Sequence, residues 1–306
     1  MPSSPASATR SLIDAVPPHA YFAVSAVFHY LGPSFAVLLF AQVAPLGVAW
    51  LRIAIAAALL AAWARPWRLL ARLAPGELRL VVLLGIVLAG MNGVFYLAIA
   101  QLPLATVGAI EFIGPVVLAV LGVRSSRNAW ALVTTVAGLL CLVQLRLPEE
   151  PLAFGYALAN AALFAAYVVV GHRLASTARD TTAVERLACA MVVAAFASLP
   201  FGGADALPAL RDPGLFAAAA GVAVSSSVVP YLCDQLAMRR LPRASFSLFL
   251  ALLPAVAVVI GYLVLGQRLS ALEGFGVLLV VAGVALHRPA GTSGAQAGRA
   301  PAGRRA

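Results

Sequence analysis

Residues 103–122 read PLATVGAIEFIGPVVLAVLG, and residues 242–261 read PRASFSLFLALLPAVAVVIG. Pro103, Ala105, Pro115, Val117, Val120 and Gly122 recur at a constant offset of 139 residues as Pro242, Ala244, Pro254, Val256, Val259 and Gly261. Upstream, Gly85 pairs with Gly221 and Tyr96 with Tyr231 at slightly smaller offsets. A fixed offset across a whole apolar segment marks an internal duplication. Each copy is also long enough to cross a bilayer, which takes about 20 residues of helix.

Working outward, ten apolar runs can be marked at 20–43, 46–64, 79–100, 103–123, 129–145, 152–170, 184–202, 214–238, 244–265 and 270–287. Proline separates runs that would otherwise merge, in the short turns at Gln42–Pro45 and Gln101–Pro103. The runs predict an all-α integral membrane protein of ten transmembrane helices. They divide into a cytoplasmic tail over 1–19, a first five-helix repeat over 20–145, a linker over 146–151 and a second repeat over 152–287. A Gly/Ala/Arg-rich tail over 288–306 is expected to be disordered. The polar, Pro/Ser-rich N-terminus does not read as a cleavable signal; the first apolar run reads as a retained helix.

Composition agrees. Apolar residues make up 62% of the 306-residue chain and charged residues only 10%, well below the roughly 25% of a soluble domain. The net charge of +10 comes from 21 basic residues, all arginine. They gather in loops and tails rather than along a helix face, so they argue orientation and not nucleic-acid binding. With the N-terminus inside, the cytoplasmic side takes seventeen arginines, from Arg10 to Arg305. The outer side takes three, Arg146, Arg211 and Arg268, and Arg52 falls within a run. Both termini are therefore expected inside, in a cell inner membrane.

A repeat of five spans is odd, so the second copy must enter the bilayer from the opposite side. Such inverted repeats are common in secondary transporters, whose solute site lies at the repeat interface near the midplane.

Ionisable and amide groups within spans are costly and mark sites by default. Glu111 is mid-span, with Gly108, Pro115 and Ala119 on the same helix face. It is a candidate proton carrier or a structural hydrogen-bonding group. Asp234 follows Pro230 by one turn, with Tyr231 and Ser227 beside it; it either lines a cavity or pairs at the interface with Arg239 or Arg240. Asn92 shares a face with Gly85, Ala89 and Tyr96 and can line the cavity or bridge helices. His29 can relay protons or sit satisfied in the core. Arg52, about 9 Å from its helix end at the helical rise, can snorkel, pair with Glu111 or bind a substrate carboxylate. Ser225, Ser226 and Ser227 line the cavity or bond helices together. Cys141, Cys189 and Cys233 lie in apolar runs without metal spacing and read as packing residues. Phosphate-binding loops, nucleophile elbows and paired catalytic carboxylates do not occur in the sequence, so a non-enzyme without cofactors is expected.

Several stretches resemble a known family: Leu51-Arg52 and Pro66-Trp67-Arg68, Gly90-Met91-Asn92 with Phe95-Tyr96, and Pro103-Leu104 leading to Glu111-Phe112 and Gly114-Pro115. The second half adds Pro230-Tyr231, Leu241-Pro242, Phe246, Pro254-Ala255 and Leu265-Gly266. Over residues 22–288 the chain resembles the drug/metabolite transporter superfamily in its EamA-type branch, and is most similar to the threonine/homoserine exporters. The resemblance implies ten helices in two inverted repeats around a central cavity. The cavity is lined by spans one, three and four and their counterparts six, eight and nine. It also implies export of small metabolites, such as threonine and homoserine, against protons. The alternative is drug or xenobiotic efflux; a membrane enzyme or scaffold is a third reading without a catalytic cluster to support it. The chain departs from the pattern at Leu253, Gln267 and Val37, where relatives carry polar residues.

Overall fold

The structure is a computed structural model that describes residues 16–70, 72–112, 125–142, 151–176, 183–242, 246, 249–250, 252–266, 268 and 270–286. The described residues form helices and turns. In chain order these are α1 (Pro18–Leu39), α2 (Pro45–Ala64), the short α3 (Pro66–Leu70), α4 (Pro75–Ile99), α5 (Leu104–Glu111), α6 (Ser126–Leu142) and α7 (Pro151–Ser176). Then come α8 (Ala183–Gly202), the short α9 (Leu207–Arg211), α10 (Pro213–Ala223), a π-helical turn (Val224–Val228), α11 (Val229–Met238), α12 (Leu253–Leu265) and α13 (Ala271–Leu286). Each of the ten apolar runs holds a helix.

Among the described residues, six helices are long and apolar enough to cross a membrane: Pro18–Leu39, Pro45–Ala64, Pro75–Ile99, Pro151–Ser176, Val184–Gly202 and Pro213–Met238. Leu253–Leu265 and Ala271–Leu286 are shorter apolar helices. Large side chains such as Trp63, Trp130, Phe196, Phe201 and Leu278 point outward and are more than 60% exposed, as a lipid-facing surface requires.

Local chemistry sets the ends. α1, α2, α3, α4, α7 and α10 all open on proline, which loses nothing where the N–H is unpaired anyway. Asp212 caps α10, accepting from the N–H groups of Gly214 at 2.7 Å and Leu215 at 3.0 Å. α12 ends at Gly266, whose φ of 63° is the left-handed cap that glycine adopts without strain. α4 begins four residues ahead of the apolar run because Pro75 and Glu77 build its first turn. Glu77 also accepts an ion-pair bond from Arg186 of α8 at 2.7 Å. α7 runs on through Gly171-His172-Arg173 to Ser176, where polarity suggests a loop. α1 ends at Leu39; Phe40–Val43, of which only Gln42 is polar, form the turn into Pro45.

α8 packs across α2 and α4, α4 lies along α7, and α1 is held by α11, α12 and the π turn. α6 and α13 pack chiefly on each other. Glycine makes that seam close. A methyl at Gly138 would come within 2.7 Å of the Gly276 carbonyl and the Val280 nitrogen, and one at Gly283 would overlap the Thr135 side chain. Small residues let membrane helices approach this way, since lipid offers no hydrophobic drive to join them. α1 meets the π turn in the same manner, with Gly32 against Ser226.

Candidate functional site

Pro230 cannot donate a backbone hydrogen bond and its ring crowds the carbonyl four residues back. The helix answers by widening: the Val229 N–H bonds to the Val224 carbonyl, five residues earlier. Such π turns recur at functional sites. Here the turn faces α1, where Pro33 also interrupts the ladder. Between them lies a polar chamber lined by His29, Arg52, Asn92, Glu111, Asn160, Ser226 and Tyr231, with Pro33, Met91 and Phe95. Its water-accessible volume is about 10 Å3, room for about one water molecule.

Three hydrogen-bonded clusters meet in or beside the chamber, those of Glu111 and Arg52 in its lining and that of Asp234 behind Tyr231. Glu111 closes α5; Tyr30 donates to its Oε2 and Asn160 Nδ2 to its Oε1, both at 3.0 Å. Asp234, on α11, accepts from Ser25 through Oδ1 and from Tyr167 through Oδ2, the latter at 3.0 Å. Each carboxyl group thus takes one tyrosine hydroxyl from its own half of the chain and one donor from the other half. Between them, Arg52 donates from Nη1 to Tyr96 at 3.2 Å and from Nη2 to Tyr231 at 3.3 Å. Its guanidinium also sits 4.9 Å from the Tyr96 ring centre. Tyr231 donates onward to Asn92 Oδ1 at 3.0 Å, and Asn92 Nδ2 is tied to its own helix at the Leu88 carbonyl.

His29, Arg52, Asn92, Tyr96, Glu111, Ser227, Tyr231 and Asp234 are all buried here, whereas Ser225 is half-exposed and bonds back to the Gly221 carbonyl at 2.8 Å. Arg52 is 3% exposed and does not snorkel. Nor does it pair with Glu111; its partners are the two tyrosines that the duplication relates, Tyr96 and Tyr231. Asp234 pairs with hydroxyls rather than with Arg239 or Arg240. His29 packs its ring against Tyr30 and Phe164, while its Nδ1 has no partner. Ser227 is fully buried with an unpartnered Oγ; its neighbour Ser226, which bonds back to Val222 at 2.6 Å, is the serine that reaches the chamber. Cys141, Cys189 and Cys233 are free thiols. Gly114, Pro115 and Gln267 lie outside the described residues.

Sequence reasoning missed Ser25, Tyr30, Asn160 and Tyr167. One signal was available. Ser25 and His29 stand four residues apart on one helix face, and Asn160 is an amide in the middle of an apolar run, as Asn92 is. Two of the three departures from the family pattern are apolar: Leu253 is 1% exposed and Val37, partly buried, packs against the core.

The EamA-like transporter family model matches residues 152–287. The threonine/homoserine exporter RhtA of Salmonella typhimurium (strain LT2) is 31% identical over 254 residues, which is 82% of this chain and 84% of that one. This chain belongs to the EamA-like transporter family. The threonine/homoserine exporter RhtA of Escherichia coli (strain K12) is likewise 31% identical, over 79% of this chain and 81% of the exporter. A protein of known crystal structure, 19% identical, shares the fold of this EamA chain with a TM-score of 0.61, over 88% of this chain and 97% of its own. This EamA-family member is a multi-pass membrane protein, and its relatives are named as exporters.

Proposed function

We propose that the chain is a secondary transporter that exports amino acids such as threonine and homoserine in exchange for protons. In this reading it has ten membrane-spanning helices as two inverted repeats, 20–145 and 152–287, with both termini cytoplasmic in an inner membrane. The observation that carries the reading is the chamber. Glu111 lines it and Asp234 stands behind its Tyr231 wall through Tyr167, each carboxyl held by donors from both halves of the chain, and the relatives at 31% identity are named threonine/homoserine exporters. A group shared by the two halves feels any movement of one against the other. A carboxyl that loses its donor on opening must gain a proton or meet a cation, because an unsatisfied buried charge is costly. That couples proton occupancy to conformation. A lining of amide, hydroxyl and guanidinium groups suits a polar solute better than a lipophilic cation.

The test is flux in proteoliposomes with a controlled pH difference. Threonine or homoserine is expected to move against its gradient when protons run the other way, and Glu111→Gln, which keeps the shape and removes titration, is expected to abolish the pH dependence. Threonine flux indifferent to the pH difference would remove the exchange mechanism. Transport and pH dependence surviving Glu111→Gln unchanged would make Glu111 structural.

A further inference from the structure

The chamber is short of partners, and the shortage has a pattern. Among the described residues four buried side-chain atoms lack a hydrogen-bond partner: His29 Nδ1, Arg52 Nε, Asn160 Oδ1 and Ser227 Oγ. Three of those residues line the chamber. Most buried polar groups are satisfied, so unpaired ones gathered in one place ask for a ligand. Their chemistry limits which. The Arg52 Nε–H can only donate. Asn160 already gives its amide nitrogen to Glu111, so its Oδ1 can only accept. His29 supplies either, according to tautomer.

Arg52 carries the stronger half of the argument. Its guanidinium keeps its charge in any protein setting. No carboxyl group among the described residues lies within ion-pair distance of it. Its two bonds, at 3.2 and 3.3 Å, go to neutral phenols, whereas charge-assisted bonds contract to about 2.7–2.9 Å. Glu111 and Asp234 bond to Tyr30, Asn160, Ser25 and Tyr167 rather than to Arg52, one bond to each oxygen, which leaves each oxygen a further lone pair. A buried cation with only weak neutral partners leaves a place for an anion. The acceptors, Asn160 Oδ1 and the Glu111 carboxyl beside it, leave a place for a cation.

We infer that the chamber, which has room for about one water molecule in this conformation, widens to bind the zwitterionic head of an α-amino acid, its carboxylate on Arg52 and its ammonium on Asn160 Oδ1 and Glu111. This assignment rests on the amino-acid reading above and deepens it: the chamber recognises both charges at once. An amino alcohol leaves Arg52 unanswered, and a hydroxy acid leaves Asn160 and Glu111 unanswered. A site built for a polar group rejects the analogue that lacks it strongly.

The experiment competes labelled L-threonine uptake into proteoliposomes with L-threoninol, which replaces the carboxylate by an alcohol, and with 3-hydroxybutyrate, which lacks the ammonium. Binding of the same three compounds to purified protein is followed in parallel by the shift in unfolding temperature. Both analogues are expected to compete at least about tenfold more weakly than threonine. In Arg52→Gln the gap between threonine and threoninol should close, with threoninol unchanged. In Asn160→Leu threonine and threoninol should weaken together. Threoninol matching threonine on the native chain overturns the carboxylate assignment without recourse to any variant. So does an Arg52→Gln protein that still favours threonine. Equal competition by 3-hydroxybutyrate overturns the ammonium assignment. Threonine that is carried while these contrasts fail defeats this inference alone; no response to any amino acid, in flux or in binding, defeats it together with the functional reading.

Discussion

Asp234 shows what a single buried carboxyl group demands. Its two oxygens are served by Ser25 and Tyr167, which reach it from α1 and α7. Removing one donor leaves a buried acceptor bare, at about 1–3 kcal/mol. Ser25→Ala and Tyr167→Phe are each expected to lower the unfolding midpoint in detergent by several degrees. The double variant should fall short of the sum, because both act on one group. If both single variants unfold with the native chain, the bonds carry no stability. The acids, the amide Asn92, His29 and Arg52 were legible in the sequence, because each is out of place in an apolar run. Ser25, Tyr30 and Tyr167 were not. Serine and tyrosine are ordinary in membrane helices, and only contacts between residues 67 to 209 positions apart give them a role. Leu253 and Val37 mark the converse: polar in relatives by resemblance, they are core here.

At the scale of the helix, the glycine seam between α6 and α13 decides how close two elements come. Gly283→Leu has no room beside Thr135, whereas Gly274→Ala meets nothing within 4 Å. The first is expected to cut the yield of folded protein severalfold in a fluorescence size-exclusion assay, and the second to leave it unchanged. Equal yields would show that the helices can part without cost. The π turn gives a second contrast. Pro230→Ala returns a backbone donor and removes the ring clash that widens the turn. It is expected to stabilise the helix by about 1 kcal/mol or more while slowing transport, measured as a higher unfolding midpoint with a lower initial rate. Helix existence was legible from the apolar runs and their prolines. The ends were not, because capping overrides hydropathy: Glu77 starts α4 within a polar stretch, and Phe40 and Ala41 already turn although they are apolar.

Across the whole molecule, the duplication read from Pro103–Gly122 and Pro242–Gly261 argues that the halves face opposite ways. Accessibility tags in the loop at 124–127 and the loop at 268 are expected on opposite sides of the bilayer. Both tags on one side would end the inverted arrangement and, with it, the proposed pathway between the halves. Fold class was legible at this scale because composition and run length are set by the lipid. The small size of the chamber was not, since it depends on how closely Gly32 and Ser226 meet rather than on any pattern along the chain.

The tight join of α6 to α13 ties the last helix of one half to the last helix of the other, away from the chamber. It works as a clamp that needs no covalent link. A gene cut within 146–151, with its two pieces made in the same cell, should therefore yield fragments that find each other and restore growth on inhibitory threonine. Gly283→Leu in the second piece should prevent that rescue.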